Sequence, residues 1–440
     1  MNITESVKEA LTHIEERGLQ GDVYGVRKRT ITYTIQKGEL FDSSEFEDLG
    51  LGIRVVKNGR IGFGYCVPGA EEKGVSRAVE LSRVSQLVDI PLPTAEMVPP
   101  VKVCDQKIVD EADGKGAELI QMLIDGAHSV KDDIVLPFGI LSIITGKRVI
   151  GNTSGVFLEE ESTALFSGVA AVISGERTSL YAEKIKCSRQ FDIDFYQLGA
   201  EAAQKVDSMR EKSAVVPGLP VIVCPDALAQ LIGFAVIPSF LGENVRKGKS
   251  LYHEKVGHPV ASDRLVITDD PTREWGLGSG KFDDEGCSSG ETALIAGGIL
   301  KNFLYDLKEG VKSGTESTGN GVRADFKTPP ETESRNIVVR GQGHKRDSFF
   351  EGDAIYVDGV MGAHTANPVS GDFSVVANPA WLIQRGEKKG RLDGVMISGN
   401  FPELLKEIEL ADDYTKTFFD LNKFKADIPT ARLKNVVVSG

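Results

Sequence analysis

The sequence has little cysteine and no paired cysteine motif. Its five cysteines are spread over 440 residues, and none forms a C-x-x-C pair. An odd number of scattered cysteines is typical of free thiols in a reducing cytoplasm rather than of a disulfide framework. We therefore expect a cytoplasmic protein with these thiols free: Cys66, Cys104, Cys187, Cys224 and Cys287.

The sequence also lacks long apolar runs and an excess of basic residues. No stretch reaches the ~18 apolar residues that a membrane-spanning helix needs, and no basic region followed by an apolar one begins the chain, so we expect neither a membrane span nor a signal peptide. The 51 Lys and Arg residues against 64 Asp and Glu residues give a formal net charge of −13. Non-specific nucleic-acid binding uses a basic surface, so nucleic acid is not an expected partner.

The hydrophobic patterns that are present predict an α+β N-terminal domain over 1–213. A helix-period pattern over 3–18 comes first, and a second covers 112–130. Between them, Asn58-Gly59 is the strongest two-residue signal for a β-hairpin. Helices separated by several strands favour a mostly antiparallel sheet over the regular alternation of a parallel one.

The remainder of the chain, residues 214–440, has a different pattern. Many short strand-like segments are separated by turn residues, which predicts a strand-rich, barrel- or sandwich-like C-terminal domain. A further helical pattern is predicted over 411–423 near the end of this domain.

One stretch of the second domain, Ser250–Pro259, contains two of the six histidines. His253 and His258 lie five positions apart, and Glu254 follows the first. Imidazoles that hold a metal and a carboxylate that takes a proton from bound water are the residues of a zinc hydrolase. On a regular helix these histidines would point roughly 140° apart, so both reach one metal only across a bulged or broken turn. A polar surface loop is the alternative interpretation.

A catalytic zinc takes three protein ligands, and this stretch supplies two. Cys287, His344, His364 and an acidic residue of the second domain are candidates for the third. The segment that ends in Cys287, Phe282–Cys287, contains three carboxylates and fits either a cation site or a solvated turn. His364 and the nearby Asp372 fit either a catalytic cluster or a turn between strands.

Several segments, taken together, resemble the TldD/PmbA family, also called modulators of DNA gyrase. Their order and spacing match the family, and the resemblance covers nearly the whole chain. Two further turns, Gly151–Gly155 and Ser398–Asn400, look like turns of the same family. The segments are Asp269–Thr272, Phe282–Gly286, Ile299–Asp306 and Ser317–Gly321.

The resemblance implies a metalloprotease made of two related subunits that acts on small peptides and peptide precursors. TldD-type chains carry an H-E-x-x-x-H zinc motif and a cysteine ligand near the C-terminus. TldE-type (PmbA) chains lack these ligands and act as the partner subunit. In a TldD-type chain, His253 and His258 would hold zinc and Glu254 would be the general base.

Different parts of this sequence resemble different subunit types. His253–His258 matches the TldD motif letter for letter, whereas Gly248–Ser250, Val260–Ser262 and Val369–Ser374 look like the PmbA version. The last cysteine is Cys287, so the C-terminal cysteine ligand has no counterpart. We expect a TldE/PmbA-like subunit with a partial zinc motif, dimeric with a TldD-like partner or with itself. An active zinc metallopeptidase and a non-enzymatic modulator of DNA gyrase are the alternatives.

Overall fold

The computed structural model describes residues 2–111, 114–175, 179–419 and 424–440. Its N-terminal half is built from long antiparallel strands and helices. In chain order these are α1 Ile3–Glu15, β1 Gln20–Gln36, β2 Glu39–Lys57, β3 Arg60–Cys66, α2 Glu71–Ser82, α3 Gln106–Glu111, α4 Gly116–His128, β4 Phe138–Asn152, β5 Phe157–Ile173, β6 Leu180–Ser188 and α5 Phe195–Ser208.

The C-terminal half consists of short strands with short helices, and three 3-10 turns lie at Ile237–Phe240, Arg346–Phe350 and Ala363–Thr365. The α+β class predicted for the chain is therefore confirmed. The elements are β7 Lys212–Ser213, β8 Val221–Val223, α6 Pro225–Ala235, α7 Gly242–Arg246, β9 Val266–Asp269, β10 Thr292–Ala296, β11 Ile299–Leu300, α8 Leu307–Ser313, β12 Gly321–Val322, β13 Glu331–Thr332, β14 Ile337–Arg340, β15 Ala354–Val357, β16 Val360–Met361, β17 Asp372–Ala377, β18 Ala380–Gln384, β19 Glu387–Leu392, β20 Met396–Asn400, α9 Phe401–Glu407, β21 Glu409–Leu410, β22 Thr415–Phe419, β23 Phe424–Ile428, β24 Ala431–Leu433 and β25 Val437–Ser439.

The strands form one sheet in the N-terminal half and several in the C-terminal half. The N-terminal sheet has the order β3-β2-β1-β4-β5-β6. The larger C-terminal sheets have the orders β11-β10-β9-β14-β23-β22, β21-β24-β8-β15-β18-β19-β7 and β16-β17-β20-β25. Asn58 and Gly59, at φ 52° and 67°, make the predicted tight turn between β2 and β3. In these orders β6 and β22 are each the outermost strand of a sheet.

The N-terminal sheet has two different faces because side chains alternate along each strand. On one face Val23 and Ile53 pack with α1 and α2, while Ile35 packs with α4 and α5. On the other face Tyr24 and Arg54 lie against loops of the C-terminal half. The helices therefore cover one face of the sheet, and part of the other face joins it to the C-terminal half.

Two details of the predicted elements differ from the structure. The helix predicted over 411–423 is wrong where the structure describes it, because Thr415–Phe419 is a strand paired with β23, and 420–423 lie outside the described residues. The helix predicted over 112–130 is seen as Gly116–His128, and 112–113 lie outside the described residues. The domain boundary at 213 stays a prediction. No helix in the described part of the chain has the length and apolar character to span a membrane.

Candidate functional site

The H-E-x-x-x-H segment lies in a non-helical loop between α7 and β9. Ser250 Oγ donates a hydrogen bond of 2.6 Å to the Ser239 carbonyl, and the buried Tyr252 ring packs 5.0 Å from the Phe240 ring. These contacts hold the start of the loop against the core. The backbone then turns outward through left-handed conformations at Glu254 and Gly257, with φ of 58° and 84°. The loop therefore presents its histidines at the surface.

Both histidine rings bond to nearby backbone carbonyls. His253 Nδ1 lies 3.1 Å from the Val245 oxygen, and His258 Nδ1 lies 3.3 Å from the Val256 oxygen. A carbonyl only accepts, so these contacts place the proton on Nδ1 and leave a lone pair on Nε2. The His253 and Glu254 side chains are 48% and 86% exposed. In each imidazole Nε2 is the nitrogen that could bind a metal, and in His253 it lies 3.8 Å from Glu254 Oε1.

The residues of this loop do not fit a three-ligand catalytic zinc site. In the described ranges, no group of three or more His, Cys, Asp or Glu side chains is arranged to hold a metal ion. Catalytic zinc requires three protein ligands, and Lys255 beside the motif further disfavours a dication. The metal roles of His253 and His258, and the catalytic role of Glu254, stay predictions.

The candidate accessory residue Asp372 lies in a turn that packs against the loop. It accepts hydrogen bonds of 2.8 Å from Asn400 Nδ2 and 2.7 Å from Ser370 Oγ, and these bonds lower its pKa. The neighbouring Gly371 packs beside Leu251, the residue that precedes Tyr252 in the loop. The structure thus brings together the two turns at 369–373 and 398–400 and places them beside the H-E-x-x-x-H loop.

His364 and Cys287 lie in different environments. The His364 ring is 6.4 Å from the ring of Phe234 on α6, in an edge-to-face contact. Burial, with a further effect of the charges on Asp283 and Glu285, raises the pKa of the Cys287 thiol well above its usual value. Among the described residues, neither His364 nor Cys287 belongs to a group of three potential metal ligands.

The segments that carry the family resemblance meet at a different place, where the N-terminal sheet joins the C-terminal loops. Asp284 and Glu285 bind arginines on the sheet, and the other motif carboxylates bind groups of the C-terminal half. All of the charged side chains at this place are buried except the half-buried Arg148. We call this cluster the ionic junction. Its members are Asp22, Arg54, Arg148, Glu160, Asp269, Asp283, Asp284, Glu285, Asp306, Arg323 and Arg335.

Two arginines of the sheet make the main contacts across the junction. Arg54 Nε donates a 2.6 Å hydrogen bond to Asp22, and its Nη1 donates to Glu285. Arg148 Nη1 donates a 2.8 Å bond to Asp284, while its Nε and Nη2 donate to Glu160. Charge-assisted bonds of this kind satisfy groups that would otherwise be costly to bury. The junction therefore fixes the two halves of the chain in one register.

Backbone groups of the motif segments complete the junction. Asp283 accepts from the backbone N–H groups of Cys287 and Gly321, each at 2.9 Å. Asp269 accepts at 2.6 Å from the N–H of Asn336. Burial, with repulsion from Glu285, raises the pKa of Asp283 to about 7 and that of Asp306 to about 6. These carboxyls are thus used in structure and are not presented to a ligand.

The sequence reasoning missed the half of the junction that comes from the sheet. Asp22, Arg54, Arg148 and Glu160 belong to no recognised motif. One signal was present, because Arg54 stands within the otherwise uncharged segment 49–56, where a buried charge requires a partner. The partner itself, Glu285, lies 231 positions away.

Fold and loop together define a class: a two-part α+β chain whose strand-rich half carries a metallopeptidase-type H-E-x-x-x-H segment. The chain belongs to the PmbA/TldA metallopeptidase family. The sequence model of that family's C-terminal domain matches residues 218–440, and the model of its domain 1 matches residues 21–84. The resemblance to the TldD/PmbA family is therefore confirmed.

Individual relatives are similar to the chain over nearly its whole length. An uncharacterized protein of Methanocaldococcus jannaschii is 28% identical over 89% of this chain and 91% of its own. A metalloprotease of Methanothermobacter thermautotrophicus is 24% identical over 99% of both chains. The crystal structure of TldE from Thermococcus kodakarensis has the same fold, with a TM-score of 0.89, 23% identity and 99% coverage of both chains.

Proposed function

We propose that this chain is a TldE/PmbA-type subunit that forms a cytoplasmic peptidase with a TldD-type partner and does not itself supply the metal centre. One observation carries the proposal: the H-E-x-x-x-H residues lie on an exposed loop, and the described residues provide no third ligand. Without a third ligand, neither the metal nor a metal-bound water would have a fixed position.

Two other observations support the subunit role. No cysteine follows Cys287 in the sequence, so the late cysteine ligand of TldD-type chains has no counterpart here to join the two imidazoles. Glu254 points into solvent, and a general base must be held within hydrogen-bond reach of the proton that it takes. If the loop meets a metal at all, we propose that His253 and His258 contact it through Nε2, as a weak two-histidine site.

The assembly is tested by mixing purified chains. The isolated protein is expected not to cleave an unstructured fluorogenic peptide. Mixing with a TldD-type chain from the same genome, with both H-E-x-x-x-H and a C-terminal cysteine, is expected to give cleavage at least tenfold above that chain alone. A Glu254→Gln variant should support the same rate in the mixture. Chelator-sensitive cleavage by the isolated wild type, lost in Glu254→Gln, would show instead that this chain is an active peptidase.

Metal content gives a separate prediction. After metal-replete purification we expect less than about half an equivalent of zinc, because two exposed imidazoles bind more weakly than three ligands. His253→Ala should leave that value unchanged, as should His128→Ala, which removes an exposed histidine at the end of α4. Elemental analysis of the three proteins is the measurement. One equivalent of zinc that disappears only in His253→Ala would contradict the proposal.

A further inference from the structure

A cleft of about 670 Å³ lies between the two halves of the chain, away from the H-E-x-x-x-H loop. One wall is β6 from Tyr181 to Ser188, and another is β22 from Thr415 to Phe418. The other lining residues include the start of α6, Lys205 of α5, segment 358–361, and Asn378 with Pro379. At one side, the rings of Phe166 and Phe418 meet edge to face at 6.5 Å and close the gap between the sheets.

The two strands that line this cleft are both outermost strands. β6 ends the N-terminal sheet and β22 ends the sheet of β9, and within the described residues neither has a second neighbouring strand. An outermost strand leaves alternate backbone N–H and C=O groups unpaired along its free side. The part of β6 from Tyr181 to Lys186 presents such groups to the cleft over roughly 20 Å. An extended chain placed in the cleft can pair with them.

Two of the carboxylates that line the cleft, those of Asp192 and Asp226, have no hydrogen bond or ion pair among the described residues. Asp226, in the first turn of α6, has no hydrogen bond or ion pair to any residue that the structure describes, although it lines the cleft. Lys205 on the facing wall is already bound to Asp358 at 3.1 Å. Surrounding protein atoms raise the pKa of Asp226 by desolvation, against the opposing effect of Lys184 and Lys205. An ammonium group from a ligand could therefore form an ion pair with this carboxylate.

The cleft continues into a second region lined by both charged and apolar side chains. A second cavity of about 400 Å³ shares Tyr181, Asn378 and Pro379 with the first and extends to Val376. Met361, on the strand next to Val376, is 58% exposed, and Tyr181 is 49% exposed. These side chains can receive apolar residues of a ligand beyond the strand pairing. The site therefore offers a ligand three kinds of contact: backbone pairing with β6, an ion pair with Asp226, and apolar contacts with Met361 and Tyr181.

We infer that this cleft binds an extended peptide as an added strand on β6, with the N-terminal ammonium group of the peptide at Asp226. The inference rests on the proposed function, since it assigns the subunit a peptide-holding role. Strand addition of this kind is a general mode of peptide recognition. A second copy of the chain fits less well, because pairing β6 with itself would oppose Lys184 and Lys186 to like charges.

The test uses a labelled eight-residue peptide of Ala, Ser, Thr and Val with a free N-terminus, titrated with the full-length isolated chain by fluorescence anisotropy. Methylating alternate backbone nitrogens of the peptide is expected to weaken binding at least about tenfold, because the strand pairing is lost. Acetylating its N-terminus should weaken binding about tenfold to wild type and much less to Asp226→Asn. Asp347→Asn, on a fully exposed side chain, should behave as wild type.

The outcomes separate this inference from the proposed function. No binding up to about 1 mM, equal binding of the methylated peptide, or equal effects of acetylation on wild type and Asp226→Asn would overturn the cleft assignment. If the mixture with the TldD-type chain still cleaves peptide in that case, the subunit role stands without it. Methylation-sensitive binding by a chain that supports no cleavage in any mixture would keep the cleft and overturn the subunit role. Self-association abolished by Lys184→Glu would assign the strand to a second copy.

Discussion

Replacing Arg54 with leucine is expected to cost about 3–5 kcal/mol of unfolding free energy, the usual range for breaking a buried ion pair from one side. Arg54 binds Asp22 and Glu285, and all three side chains are at most 3% exposed. Burial by itself lowers the pKa of Arg54, but the two carboxylates outweigh it and raise the pKa. Leucine would leave two buried carboxylates without their common partner, which is why the expected loss is large.

Urea unfolding followed by circular dichroism measures this loss as a shift of the midpoint. Arg27→Leu is the matched control, because Arg27 lies on the neighbouring strand and pairs with Glu47 at 2.7 Å in an exposed position. Exposed pairs contribute about 0–1 kcal/mol, so the urea midpoint of the control should shift very little. Arg54→Lys keeps the charge without the forked geometry of the guanidinium, so its midpoint should lie between those of the other two variants. This variant can be measured even if Arg54→Leu fails to fold. Equal midpoints for Arg54→Leu and Arg27→Leu would show that the junction does not hold the halves together.

Replacing Asp306 with asparagine is expected to stabilise the protein at pH 8 and to have roughly half that effect at pH 5. Asp306 is fully buried, its Oδ1 accepts from the N–H of Glu309 at 2.6 Å to cap α8, and its Oδ2 has no partner. Burial, with repulsion from Glu285, raises its pKa from 3.8 to about 6. The folded protein therefore binds this proton more tightly than the unfolded chain does.

The sign of the effect follows from that difference in proton binding. The contribution of a raised carboxyl pKa to stability is complete below pH 4 and is lost as the pH rises through about 6. Asparagine can keep the capping hydrogen bond to α8 and never acquires the negative charge, so the variant should not lose this stability as the pH rises. At 1.36 kcal/mol per pKa unit, the gain at pH 8 is about 1–3 kcal/mol.

Thermal unfolding at pH 5 and pH 8 provides the measurement, and a gain of a few degrees at the higher pH is expected. Asp194→Asn is the control, because Asp194 caps α5 in the same way, at 2.9 Å to the N–H of Gln197, but in an exposed position. It should show no gain that grows with pH. A destabilised Asp306→Asn at pH 8 would mean that the ionised carboxylate is required by its surroundings, and the assignment of a raised pKa would be wrong.

Local patterns in the sequence were sufficient for the class of fold and for several elements. The apolar spacing of Val7, Ala10 and Ile14 predicts α1, and each of these residues is fully buried. Asn58-Gly59 predicts a turn because both residues tolerate positive φ. These features depend on neighbours within a few positions, which is the range that periodicity can read.

Features that depend on distant partners could not be read in this way. The segment 411–423 has a pattern that suits a helix, but pairing with β23 makes its described part a strand, so tertiary contact overrides propensity. The pair between Arg323 and Asp22 joins residues 301 positions apart. For the loop, the spacing of His253 and His258 was evident, whereas their exposure and the lack of a third ligand nearby are properties of the fold.

The position of the ionic junction has a consequence for how such chains are annotated. Among the segments by which the family is recognised, Phe282–Gly286 binds Arg54 and Arg148 of the N-terminal sheet and so joins the two halves of the molecule. Ser317–Gly321 supports that segment through the bond from Gly321 to Asp283. Neither segment lies in the H-E-x-x-x-H loop. A search based on them gathers sequences by shared architecture, so catalytic and non-catalytic members score alike. A transferred label such as metalloprotease therefore describes ancestry. Turnover has to be judged separately for each sequence, from its own complement of ligands.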